Sequence, residues 1–109
     1  MEQQQFLEEH VFKGLKSAIA SNTEPQVHQF NQEDFKVLLE RCEYYGIGIY
    51  TIEAFLDGET YGASHHEDLR KKATDSAWYE KAFSTFNHTQ EGLMYTATYK
   101  VSLKLLARY

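Results

Sequence analysis

Few side chains in this sequence are of a type and in a place to do chemistry. Glu53 is the foremost. It stands in residues 47–56, a run dominated by β-branched and aromatic side chains. In extended backbone, Tyr50, Ile52, Ala54 and Leu56 face one way, and Ile47, Ile49, Thr51, Glu53 and Phe55 face the other. A carboxylate between Ile49 and Phe55 must be paired, hydrogen-bonded or protonated. A cross-strand partner such as Lys100 or a tyrosine hydroxyl would make it structural, and that is the role expected first. Without such a partner it becomes an acid–base group or an anchor for a basic ligand.

The eight tyrosines pose the same choice. Tyr50, Tyr79, Tyr95 and Tyr99 fall on apolar faces by pattern and are expected in the core. Tyr44, Tyr45 and Tyr61 are expected half-buried, where a large, stiff, amphipathic ring suits a protein interface. Cys42 sits on an apolar helical stripe and reads as a small hydrophobe. Glu40 and Glu43 flank it and oppose a thiolate. His66-Glu67 begins like a zinc-protease motif, but Arg70 stands where the second histidine is needed, so no metal or cofactor is expected. Gly46-Ile47-Gly48 leads into a strand rather than opening a helix, which excludes a phosphate-cradling loop. No catalytic constellation is assembled in the sequence.

The net charge of −5 disfavours nucleic acid, since no basic cluster exceeds Arg70-Lys71-Lys72. A basic protein partner fits this charge. The N-terminal residues lack the basic and apolar regions of a secretion signal, and no apolar run is long enough to span a bilayer. A cytoplasmic location is the resulting expectation.

The elements that must position these residues fit one domain over 1–109. Residues 2–20 are predicted as a first helix from Leu7, Val11, Leu15 and Ile19, which recur every four residues, with 21–25 ending it at Pro25. Asn31 is expected to cap a second helix, with Phe30 and Phe35 as a hydrophobic staple. Phe35, Leu38, Leu39 and Cys42 form its apolar stripe, and Gly46 ends it. Asp57-Gly58 between two β-rich runs predicts a type I′ hairpin, pairing Leu56 with Glu59, Phe55 with Thr60 and Ala54 with Tyr61. Ser64 is expected to cap a helical region reaching about residue 86, broken near 74–76, where Asp75 caps a second helix with Tyr79, Ala82, Phe83 and Phe86 on its apolar face. Residues 93–103 alternate as a half-buried strand. The tail fits either a strand extension or a helical turn. The fold class is therefore α+β: two N-terminal helices, a β-hairpin, a helical crossover and a third strand in a small, mainly antiparallel sheet. The strand at 47–56 is expected at its centre.

From Phe35 to Val101 the order of short motifs resembles the small immunity proteins of bacterial polymorphic-toxin systems. The residues that carry the resemblance are Gly46-Ile47-Gly48-Ile49-Tyr50, Ile52-Glu53, Trp78-Tyr79, Ala82-Phe83 and Ala97-Thr98-Tyr99. The resemblance implies a non-enzymatic, acidic protein that binds and blocks a toxin domain. The expected binding residues are then Glu53, Tyr44, Tyr45, Tyr61 and Trp78. Two alternatives stand beside it: a small enzyme or ligand-binding domain built on Glu53 and nearby tyrosines, and a homodimeric subunit.

Overall fold

The computed structural model describes the backbone of residues 2–19 and 28–108, and the side chains of all of these but 17–19. The best-specified element is the helix Gln32–Tyr45 (α2). Asn31 caps it, its side-chain oxygen accepting from the Asp34 N–H at 2.8 Å. Phe30 and Phe35 are both fully buried at its entrance. Gly46 ends it in the left-handed conformation, at φ 69°.

The N-terminal segment is shorter than predicted. Helix α1 (Gln3–Phe6) passes into a π-helical turn, Leu7–Val11. A four-residue spacing drifts by about 40° per step on an α-helix, and the wider π turn absorbs that drift. Gly14 then reverses the chain with φ 79°. Ser17–Ile19 (β1) is a strand, where the sequence suggested helix, and it pairs with His28–Phe30 (β2). The expected stop at 21–25 lies outside the described residues.

Gly48–Leu56 (β3) and Glu59–His65 (β4) form the hairpin. Asp57 and Gly58 have φ of 52° and 85°, as a type I′ turn needs. Leu56 pairs with Glu59 and Phe55 with Thr60 as expected, but Ala54 pairs with Gly62. Tyr61 is an extra residue, so the Ala54–Tyr61 pairing is corrected by a β-bulge. Ser64 pairs with Ile52 inside β4 and does not cap a helix. Turns follow it, and the helix of this region is Ser76–Thr89 (α3). Asp75 caps α3 by accepting from the Ala77 N–H at 3.0 Å.

Met94–Lys100 (β5) pairs with β3, giving the sheet order β1-β2-β5-β3-β4. All the pairings are antiparallel. β3 is thus flanked by β4 and β5, and α3 is the connection between those two. Ser102 caps a last short helix, Leu103–Ala107 (α4), accepting from the Leu105 N–H. Leu103 leaves the strand there and is 85% exposed, although alternation had placed it on the buried face.

Helices α2 and α3 pack on one sheet face. Phe35 stacks on Tyr95 at 5.2 Å, and Phe83 meets the same ring edge-on at 4.9 Å. Ile49, Ile52, Ala54 and Tyr95 are buried beneath them. Gly62 lets α3 approach, because a Cβ there would stand 3.1 Å from the Phe86 ring. No described helix is long and apolar enough to cross a membrane.

Candidate functional site

On the other face of the sheet the N-terminal segment stands at one side, where Gln3, Gln4 and Leu7 line a cleft with Glu53. Directly opposed residues of antiparallel strands point to the same side. The strand pairings therefore lay three rows across that face: His65, Thr51, Thr98; then Ala63, Glu53, Thr96; then Thr60, Phe55, Met94. Glu53 is at the middle of the middle row, half-buried.

The sequence expectation for its neighbours needs correction. A bulge between Ile49 and Thr51 inserts Tyr50 into β3. One extra residue reverses the alternation, so Ile49 and Ile52 both face the helices. Glu53 consequently keeps Thr51 and Phe55 as face-mates and loses Ile49. Tyr50, expected in the core, is 37% exposed. Lys100 is not its partner, because it sits opposite Gly48 at the far end of the ladder. Among the described residues Glu53 has no hydrogen bond or ion pair. Beside it opens a cleft of about 340 Å³, lined by Gln3, Leu7, Phe12, His28, Thr96 and Thr98.

The structure does not bring the other candidates together. Tyr44 is 82% exposed at the end of α2. Tyr45 beside it meets Tyr44 edge-on at 4.9 Å and packs its ring against Phe6. Tyr61, swung out by its bulge, lies by Phe86 of α3 at the β4 edge of the sheet. Trp78 is 1% exposed and belongs to the core under α3. It is no surface contact: one face of α3 carries it inward with Tyr79 and Ala82.

Among the described residues no group of three or more His, Cys, Asp or Glu could hold a metal ion. His65 Nδ1 lies 2.8 Å from Thr51 Oγ1, and His66 Nδ1 lies 2.8 Å from the Lys71 carbonyl. Both histidines thus serve the hairpin and the turn after it. Cys42 is buried, and that burial pushes its thiol up to about 12.

Sequence reasoning missed a second feature. Between α2 and α3 runs a groove of about 550 Å³, with Leu39 and Phe83 at its base and Glu33, Glu40 and Glu80 among its walls. Partial burial raises the Glu80 carboxyl, and so do a hydrogen bond with Glu43 and the charges of Glu43 and Glu40. Ser76 holds Glu43 in place by donating to its carboxylate at 3.3 Å. The signal was legible in part. Glu33 and Glu40 are seven residues apart and Glu40 and Glu43 three, so α2 carries them on one side. The contribution of Glu80 needs the tertiary contact of two helices.

No protein-family model matches the chain, and no curated protein or solved structure shows significant similarity to it.

Proposed function

We propose that this chain is a protein-binding module, meeting its partner with the second face of its sheet and with Glu53 at the centre of contact. The observation that supports the reading is a half-buried carboxylate without a partner, flanked by Thr51, Thr96 and Phe55. Among the described residues its carboxylate accepts no hydrogen bond, so its acceptor capacity is open to an incoming donor. It is the arrangement expected of a side chain kept for an incoming donor, at some cost to the free protein. The net charge of −5 makes a basic partner the complementary one.

The finer form of the proposal is an immunity-type inhibitor that blocks a bacterial toxin domain in the cytoplasm. Its supports are the motif resemblance and the acidity. Where a toxin gene lies beside this one, co-expression with its toxin domain tests it. Wild type should rescue growth and Glu53→Arg should not, provided the variant accumulates to equal level. Equal rescue by both would remove this face from the proposal. The cleft beside Glu53 favours a second reading, a small ligand bound between α1 and β5.

A further inference from the structure

The groove between α2 and α3 lies apart from the Glu53 face, on the helical side of the molecule. The two helices meet with their residues in reverse order. Ser76, at the start of α3, bonds Glu43 near the end of α2, while Asn87 and His88 share the groove with Glu33. The helices are therefore antiparallel, and the groove has two different ends. At one end Glu40, Glu43 and Glu80 converge; at the other stand Gln32 and His88. Most of the lining between them is apolar, from Leu39, Phe83 and the stems of longer side chains.

We propose that this groove receives an arginine side chain from the protein partner, its alkyl stem on Leu39 and Phe83 and its guanidinium among Glu40, Glu43 and Glu80. Two features of arginine fit. Its stem covers apolar surface while the head stays with charge. Its planar head donates five N–H groups in a fixed fork and can serve two carboxylates at once, which a lysine ammonium does less well. In the free protein partial burial and the neighbouring carboxyls of Glu43 and Glu40 raise the Glu80 carboxyl. A guanidinium supplies donors to these carboxylates and offsets their mutual repulsion. The charged and titratable groups beside Glu80 are Glu40 and Glu43 from α2 and Tyr79 from α3, while Glu33, Lys36 and His88 line the same groove. Lys36 stands one turn from Glu40 on α2, but against the three carboxylates it leaves that end net negative.

The inference rests on the reading that the partner is a basic protein, and it adds a second contact on another surface. A tetra-arginine peptide is the probe, titrated into the full chain and followed by amide chemical shifts. Shifts should centre on Leu39, Glu40, Glu80 and Phe83. Tetra-lysine should bind several-fold more weakly. The double variant Glu40→Gln/Glu80→Gln should lose about tenfold in affinity, and Glu59→Gln on the distant hairpin should lose none. Shifts confined to the Glu53 face would overturn the groove while leaving the first proposal standing. Equal loss with Glu59→Gln would reduce the binding to unspecific charge attraction and overturn it as well.

Discussion

Gly46 carries the join between α2 and β3, and its replacement has a magnitude that can be worked out. Its φ of 69° and ψ of 29° lie in the left-handed region. There its N–H bonds the Glu43 carbonyl at 3.2 Å, and the next N–H, of Ile47, bonds the Cys42 carbonyl at 2.9 Å. A Cβ added at Gly46 would meet nothing within 4 Å, so no clash with neighbours enters the sum. What remains is the backbone penalty of an L-residue in that conformation, roughly 1–2 kcal/mol. Against it, alanine restricts the unfolded chain and returns about 0.4–1 kcal/mol. Gly46→Ala should therefore destabilise by about 1 kcal/mol, lowering the melting temperature by roughly 4–8 °C for a domain near this size. Gly46→Asn should lose less, because asparagine tolerates the left-handed region. Circular dichroism melts of the three proteins read this directly. An alanine variant as stable as wild type, or an asparagine variant worse than alanine, would refute the argument.

Gly58→Val should cost roughly 1 kcal/mol or more by denaturant titration, since the hairpin turn holds Gly58 at φ 85°. An unchanged midpoint would count against the type I′ turn. Cys42, raised to about 12 by burial, should react with a thiol reagent at pH 8 only as fast as the protein unfolds. Fast labelling of the native protein would contradict its place in the core. Glu80 has a raised carboxyl, so its favourable contribution is fully present below its unfolded pKa and is lost as pH rises through the folded value. Glu80→Gln should then equal wild type near pH 3 and exceed it at pH 7 by about 0.2–0.5 kcal/mol, the usual size for like charges on a helical surface. A variant less stable at pH 7 would show that Glu80 is paired with a cation instead.

The parts of the fold legible in sequence were those fixed by local chemistry. Asn31, Gly46, Asp57-Gly58 and Asp75 each act through their own backbone neighbours, and each stands in the predicted role. The failures came where tertiary pairing outweighed a local signal. Ser64 has the spacing of a cap, yet it lies in a ladder opposite Ile52. Leu15 extends a helical period, yet Gly14 has already turned the chain. The bulge at Tyr50 mattered most for the site. It shifts β3 by one residue against β5, and so exchanges the faces that alternation had assigned to Ile49 and Tyr50. The sequence places Glu53 on a strand face, but its surroundings could not be read without that bulge. The resemblance implies a surface contact at Trp78, whereas its position beside Tyr79 on α3 places it in the core. The Glu40–Glu43–Glu80 cluster needs the antiparallel contact of α2 and α3, which no single segment encodes.

The central claim is that Glu53 is held for a partner and does not hold the fold together. The stability of Glu53→Ala in the free protein tests it most directly. Urea denaturation should place the variant within about 0.5 kcal/mol of wild type, or slightly above it, as for a side chain whose removal breaks no bond. A loss of roughly 1–3 kcal/mol would mean that a buried donor had been left unsatisfied, and would return Glu53 to a structural role.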